Sequence, residues 1–260
     1  MSQNFDPNQN YYFFNKKNSI PIVFIHGVGL NHQMWDKQIN YLNEFSILTY
    51  DLLGHGKTPY NKDKLNLKDF SNQLLKLLDY LKIEKINLVG FSLGSLIALD
   101  FSSHFQNKVE KLILIGTTYK RSDQERSLVL ERYNQAKLNK PISKQALKRW
   151  FSDKYLENNP KTYDTFINIL NKNPDDHKNF LKAYELFANH YDNFEDIKKI
   201  NIKTLVMTGS DDAGSTPAMS KELVKDMVNS TYTEIQNGKH LCSIECADDV
   251  NMNIKNFIKN

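Results

Sequence analysis

Three side chains, far apart in the chain, could together turn an alcohol into a nucleophile. Ser92 sits in Gly90-Phe91-Ser92-Leu93-Gly94, a G-x-S-x-G pattern. In that pattern the serine occupies a sharp strand-to-helix turn, with its hydroxyl raised above the sheet edge. A serine hydroxyl is a poor nucleophile at neutral pH, so it needs a base within hydrogen-bond reach and a group to orient that base. His240 is the candidate base. It follows the last apolar strand run, in Gln236-Asn237-Gly238-Lys239-His240, and a helix follows it. The orienting acid should come from the strand end before, where Asp211 and Asp212 compete. Asp212 is the choice, with Asp211 as a loop-stabilising residue. The order Ser, Asp, His is the one found in sheets that carry a nucleophile elbow.

Acyl transfer also needs N–H donors for a developing oxyanion. Leu93 opens a helix, so its N–H has no partner within that helix. A second donor is expected from Val28 in His26-Gly27-Val28-Gly29, where Gly27 lets backbone approach a substrate closely. The remaining histidines are read otherwise. His26 holds loop backbone, His55 stabilises the Gly-His-Gly turn, and His32, His104, His177 and His190 carry no supporting pattern. A metal site from His240, Cys242 and Cys246 lacks a fourth ligand, so no metal is expected; the acyl-transfer chemistry of Ser92 and His240 needs no organic cofactor.

These residues need a scaffold that gathers strand ends. Ile20 to Ile25 is a nearly continuous apolar run, as expected of a strand buried on both faces. Further strands are predicted over 45–50, 86–89, 109–115, 204–208 and 231–235, and a brief aromatic edge strand over 11–14. Helices are predicted over 31–43, 67–81, 93–105 and 248–258. The alternation argues for an α/β fold with a mostly parallel, doubly wound sheet. Ligands bind such sheets beyond the carboxyl ends of the strands, where His26, Asp51 and Ser92 fall. Between 121 and 191 strand-like runs vanish. That stretch reads as four charged helices over 122–137, 143–151, 160–171 and 175–190, punctuated at Pro141, Pro160 and Pro174. Residues 1–120 and 192–260 are therefore expected to form the core, and 121–191 an inserted helical lid.

Composition narrows the function classes. The chain has 260 residues, 34 basic and 30 acidic, for a net charge of +4. The lysines are scattered, so no nucleic-acid partner is expected. No apolar run is long enough to span a bilayer, and no leader-like segment precedes residue 18, so a cytoplasmic location without membrane association is expected. Two cysteines imply no disulfide framework. Oligomeric state is not legible.

The pieces His26-Gly27, Asp51-x-x-Gly54-x-Gly56, Gly90-x-Ser92-x-Gly94, Gly209-x-x-Asp212 and His240 together resemble the α/β-hydrolase superfamily. The resemblance implies Ser92 as nucleophile, His240 as base, Asp212 as its orienter, and Val28 and Leu93 as oxyanion donors. Finer features are similar to the 3-oxoadipate enol-lactonase group. These are the run HGVGLNHQMWDKQ at 26–38, Leu147-Lys148-Arg149-Trp150-Phe151, and His240-Leu241-Cys242-Ser243-Ile244-Glu245. That likeness implies that the Arg149-Trp150-Phe151 stretch lies near the substrate. Read from the residues alone, Trp150 and Phe151 suit packing of the lid onto the base equally well, and Arg149 suits a solvent-facing position better than pairing with a substrate carboxylate. Three departures stand out: Ser95 in place of a second glycine after the elbow, one extra residue between Asp212 and Pro217, and a short region before residue 20 that predicts one or two early strands missing.

The function this implies is hydrolysis of a small-molecule ester or lactone through an acyl-enzyme on Ser92. Rivals using the same residues are a carbon–carbon bond hydrolase and a cofactor-free haloperoxidase or perhydrolase. A rival of another class is a ligand-binding receptor with negligible turnover.

Overall fold

A computed structural model describes residues 4–138, 144–170 and 174–260. Its strands are β1 (Asn4–Phe5), β2 (Tyr11–Asn15), β3 (Ile22–Ile25), β4 (Ile47–Tyr50), β5 (Ile86–Phe91), β6 (Val109–Ile115), β7 (Lys203–Gly209) and β8 (Ser230–Ile235). Its α-helices are α1 (Asp36–Tyr41), α2 (Leu67–Leu81), α3 (Leu93–His104), α4 (Asp123–Lys137), α5 (Lys144–Trp150), α6 (Asp153–Asn158), α7 (Lys161–Leu170), α8 (Pro174–Asn189), α9 (Phe194–Lys198), α10 (Pro217–Asp226), α11 (Cys242–Glu245) and α12 (Ala247–Lys259). Pro141, Ser143 and Asn171, which the sequence reading used as punctuation or helix ends, lie outside the described residues.

The strands form one sheet in the order β1-β2-β4-β3-β5-β6-β7-β8. The pairs from β4 to β8 are parallel, and β1–β2 and β2–β4 are antiparallel. The edge strand predicted over 11–14 is present as β2, and an early strand expected to be missing is present as β1. A two-residue strand carries no periodicity, so β1 leaves no signal among the residue types. Because β1 pairs with β2, the 11–15 run lies one place in from the edge rather than on it.

β3 shows why the sheet needs helices on both faces. Val23 and Ile25 enter one apolar cluster with α2 and α3, while Ile22 and Phe24 enter the other with α12. All four are fully buried, so a continuous apolar run is the correct pattern for this strand. The chain passes from β3 outward to β4, then returns to place β5 on the other side of β3. That reversal opens a crevice above the carboxyl ends of β3 and β5. Ser92 follows β5, and the Gly27–Val28 loop follows β3. Both flank the crevice.

Helices α4 to α9 occupy the interval between β6 and β7. Ser122 and Glu125 form a reciprocal capping box that starts α4, as Asn66 and Asp69 do for α2; caps of this kind contribute about 1 kcal/mol each. The 31–43 stretch divides into a 3-10 turn over His32–Trp35 and then α1. α6 and α9 were not anticipated. At six and five residues they are too short to show a helical period. Among the described residues no helix is long and apolar enough to cross a membrane.

Candidate active site

Ser92 is the first element of the site, and its backbone is unusual. Its φ is 53° and its ψ is −116°, a region that costs a non-glycine residue about 1–3 kcal/mol. The turn is held by its neighbours. The Ser92 N–H donates to the Ile115 carbonyl at 2.9 Å, and the Ser92 carbonyl accepts the Ser95 N–H at 2.9 Å. Ser95 Oγ also donates to that carbonyl, at 2.6 Å. The residue that departs from the usual glycine thus adds a hydrogen bond to the elbow. The flanking glycines are steric necessities. A Cβ on Gly90 would lie 2.3 Å from the Gly94 carbonyl oxygen, and one on Gly94 would lie 2.3 Å from the Ile25 carbonyl oxygen. Strand β5, helix α3 and strand β3 therefore meet with no room for a methyl group.

His240 reaches this serine across 148 positions of sequence. Its Nε2 lies 3.3 Å from Ser92 Oγ. Its Nδ1–H donates to Asp212 Oδ2 at 2.7 Å. A carboxylate can only accept here, so the proton belongs on Nδ1, and Nε2 is left as the acceptor for the serine hydroxyl. The imidazole packs against the Phe91 ring, 4.9 Å between centroids. The Asp212 side chain is 1% exposed, and its other oxygen, Oδ1, accepts the N–H groups of Gly214 at 2.8 Å and Ser215 at 2.9 Å. Asp211 points elsewhere: it is exposed, and Ser210 Oγ donates to it. The structure thus brings Asp212, not Asp211, to His240.

The two expected oxyanion donors sit on either side of the crevice. Among the described residues, neither the Val28 N–H nor the Leu93 N–H donates to a protein acceptor. Gly27 lies beside the nucleophile; a Cβ built on it would be 3.4 Å from Ser92 Cβ and 2.9 Å from the Phe91 ring. The loop is pinned from behind. His26 Nδ1–H donates to the Gly27 carbonyl at 2.8 Å, and His26 Nε2 accepts the Leu52 N–H at 3.0 Å. His55 donates from Nδ1 to the Leu53 carbonyl at 3.0 Å. Both histidines hold loops, as their positions suggested.

Sequence reasoning missed His32. Its Nδ1 lies 2.7 Å from Asp51 Oδ1, and its N–H donates to the same oxygen at 2.8 Å. Asp51 Oδ2 accepts the Lys57 N–H at 2.8 Å. Burial pushes the Asp51 carboxyl upward, but the His32 hydrogen bond and the nearby His26 imidazole outweigh it, and its pKa lies below the usual carboxylate range. This pair, with Asp51 buried and His32 partly so, ties the loop after β3 to the loop after β4. The available signal was an aspartate at a strand end with several histidines nearby, and that does not say which histidine turns toward it. Glu245 was quoted only as part of a run. It accepts the Ser152 N–H at 3.0 Å and the Lys239 N–H at 3.3 Å, joining the chain just past α5 to the histidine loop.

The three insertion residues separate. Phe151 is fully buried, stacked on Tyr155 at 5.0 Å and edge-on to Phe166 at 5.1 Å. These are packing contacts among the aromatic side chains of the insertion. Trp150 is partly buried, with its ring 6.3 Å from that of Phe166. Its carbonyl accepts the Leu241 N–H at 3.0 Å, directly beside His240. Arg149 is exposed as a residue, yet burial of its charged end and then the nearby Arg132 lower its pKa. Cys242 is buried and Cys246 partly so. Burial pushes both thiols up, that of Cys246 to about 11, so neither is a ready thiolate.

A mostly parallel sheet with a strained serine elbow, a histidine on the last strand's loop and a buried acid on the loop before it defines a class of enzyme scaffold. The chain belongs to the alpha/beta hydrolase fold family, whose profile matches residues 20–246. It is 26% identical over 257 residues to an (E)-2-((N-methylformamido)methylene)succinate hydrolase of Acinetobacter baylyi, covering 97% of this chain and 95% of that one. It is 24% identical over 237 residues to 3-oxoadipate enol-lactonase 2 of the same organism, covering 91% and 87%. The crystal structure of an enol-lactonase from Burkholderia xenovorans LB400 superposes with a TM-score of 0.87 at 24% identity, over 97% of this chain and 98% of that one. The resemblance to the enol-lactonase group is thereby borne out at the level of family and fold.

Proposed function

We propose that the protein is a serine hydrolase that cleaves a small carboxylic ester or lactone through an acyl-enzyme on Ser92. One observation carries the reading: His240 spans Ser92 Oγ at 3.3 Å and Asp212 Oδ2 at 2.7 Å, with the proton required on the Asp212 side. In this mechanism Ser92 Oγ attacks the carbonyl carbon while His240 Nε2 takes its proton. Asp212 stabilises the resulting imidazolium. The tetrahedral oxyanion is held by the Val28 and Leu93 N–H groups, which are free to donate. Collapse expels the alcohol, protonated from Nε2; in a lactone it stays tethered to the acyl group. Water, activated by the same imidazole, then attacks the ester carbonyl and releases Ser92. The 3.3 Å hydroxyl–imidazole distance is of the kind that tightens in the substrate complex.

Residues 121–191 are assigned as a cap over the crevice. Support comes from the Trp150–Leu241 and Glu245–Ser152 hydrogen bonds, which join this stretch to the histidine loop. Trp150 and Arg149 are assigned to the substrate side and Phe151 to the packing behind them. The names of the relatives, one a hydrolase of a succinate derivative and the other an enol-lactonase, support hydrolysis of a small molecule.

The test is direct. A fluorophosphonate probe should label Ser92 in the wild type and fail to label Ser92→Ala. Hydrolysis of short-chain esters and lactones should fall by at least about 10³-fold in that variant. Full turnover by Ser92→Ala refutes the proposal, and an unreactive Ser92 in a folded protein favours a receptor. Products from lactone, ester and diketone panels separate ester cleavage from carbon–carbon cleavage.

A further inference from the structure

The hydrogen bond to Asp212 fixes one atom of the His240 ring, Nδ1. The loop backbone fixes the Cα. The Gly238 carbonyl accepts the Asp211 N–H at 2.9 Å, the Lys239 carbonyl accepts the Cys242 N–H at 3.1 Å, and the Trp150 carbonyl accepts the Leu241 N–H at 3.0 Å. Two side-chain torsions remain, and rotation about the anchored Nδ1 swings Nε2 across the crevice. The 3.3 Å separation between Nε2 and Ser92 Oγ is at the long end of hydrogen bonding, so that contact holds the ring only weakly. Aiming the base requires a third support.

Phe91 is in place to supply it. It is the last residue of β5, directly before Ser92, and is buried. Its ring meets the imidazole at 4.9 Å between centroids with a 48° tilt, within the range of aromatic packing. The ring is itself locked. Trp35 lies edge-on to it, at 6.5 Å and 86°. On the side of the Gly27 loop there is no slack: a Cβ on Gly27 would come within 2.9 Å of Phe91 Cδ1 and 3.0 Å of Cε1. On the other side Phe91 is in register with Ile115 of β6, which puts Gly116 next in line. A Cβ on Gly116 would stand 3.4 Å from Phe91 Cε2 and 3.5 Å from both Nδ1 and Cε1 of His240. That point is the corner between the two rings. Gly116 has a φ of 57°, which glycine adopts freely, and its missing side chain leaves the corner open. The ε carbons that make these contacts lie beyond the reach of a leucine, whose side chain ends at the δ carbons.

We propose that Phe91 is a positioning residue for acyl transfer: its ring is the seat that holds the His240 imidazole with Nε2 aimed at Ser92 Oγ. Phe91 acts through His240 and makes no bond to the reacting atoms. This rests on the reading of Ser92 as nucleophile and His240 as its base, and the test separates the two.

Phe91→Leu is expected to lower kcat for p-nitrophenyl acetate by about 30-fold with KM within about twofold, since a misplaced catalytic group costs up to about 10²-fold. Phe91→Met keeps the volume and the reach but not a rigid plane, and should lose only about fivefold. A double-mutant cycle with His240→Ala then asks what the ring acts through. It is read on the rate of fluorophosphonate labelling, which needs a single attack by Ser92 and no turnover. With His240 present, Phe91→Leu should slow labelling in proportion to kcat. In the His240→Ala background it should slow labelling by less than about threefold, because the group it positions is gone. A merely structural loss would slow both backgrounds alike. A thermal melt identifies a Phe91→Leu variant that fails to fold, and the volume-conserving Phe91→Met then carries both comparisons. A folded variant, of leucine or in its place of methionine, that keeps kcat within about twofold of the wild type overturns the seat, and so does equal slowing with and without His240. Absence of Ser92-dependent labelling, or His240→Ala labelled as fast as the wild type, overturns the nucleophile or base reading instead.

Discussion

Asp212→Asn is the most informative single substitution, because the loop decides how the new amide must sit. Asp212 Oδ1 accepts two backbone N–H groups, from Gly214 and Ser215, at 2.8 and 2.9 Å. Oδ2 faces His240 Nδ1 at 2.7 Å. An asparagine has one oxygen and one NH₂ group. Turning the NH₂ toward the loop would set it against two donors in a side chain that is 1% exposed, at a cost of several kcal/mol. The oxygen therefore stays on the loop, and the NH₂ faces His240. Nδ1 must then accept, so the imidazole proton moves to Nε2. In that tautomer Nε2 cannot accept from Ser92, and the base is lost while the packing is kept. In serine proteases the same reversal costs about 10⁴ in kcat, or about 5 kcal/mol of transition-state stabilisation. A stopped assay with p-nitrophenyl acetate at neutral pH measures it, and a thermal melt confirms that the variant is folded. Asp211→Asn is the paired control and should stay within about twofold of the wild type. A folded Asp212→Asn enzyme that keeps more than about a tenth of the wild-type kcat would refute the tautomer reasoning.

Further outcomes follow from the same geometry. Gly94→Ala should destabilise the fold by at least about 3 kcal/mol, since its Cβ would meet the Ile25 carbonyl oxygen at 2.3 Å and the His26 carbonyl oxygen at 2.7 Å; a urea melt within 1 kcal/mol of wild type would contradict this. Ser92→Gly should be more stable than Ser92→Ala by about 1 kcal/mol, because glycine relieves the cost of a positive φ and loses part of that gain to its freer unfolded chain. Equal melting temperatures would show the elbow to be unstrained. Stability should also decline in mild acid. Burial, then the charges of Arg121 and Arg126, lower the His190 pKa from 6.5 to about 4. Its unfolded form binds a proton at higher pH than its folded form. The stability is therefore present in full above about pH 6.5 and is lost as pH falls toward 4, by up to about 3 kcal/mol. Asp192, raised by burial, partly offsets this at the acid end. His190→Gln should flatten the profile of melting temperature against pH in that window, and a profile unchanged from wild type would rule the histidine out.

What the sequence made legible was whatever a residue type enforces locally. Gly90 and Gly94 announce a close crossing of strand, helix and strand, and four apolar residues at 22–25 announce a strand covered on both sides. The choice between Asp211 and Asp212 was not of that kind. It depends on which carboxylate folds back onto the N–H groups of its own loop, and both neighbours have the same chemistry. The motif Arg149-Trp150-Phe151 exposes a deeper limit. Successive residues on a helix point about 100° apart, so three in a row cannot share one target. The structure divides them: Phe151 lies in the apolar cluster, Trp150 at its border, and Arg149 is exposed. Ser92, Asp212 and His240 escape this limit because each stands alone on its own strand-end loop. Parallel pairing of β5 through β8 brings those loops to one edge whatever the intervening sequence does. Chemistry placed at strand ends is therefore readable one residue at a time. The helices between β6 and β7 acquire their packed faces only on docking, as where Tyr133 of α4 meets Tyr184 of α8, and a run of three adjacent residues carries no record of that docking.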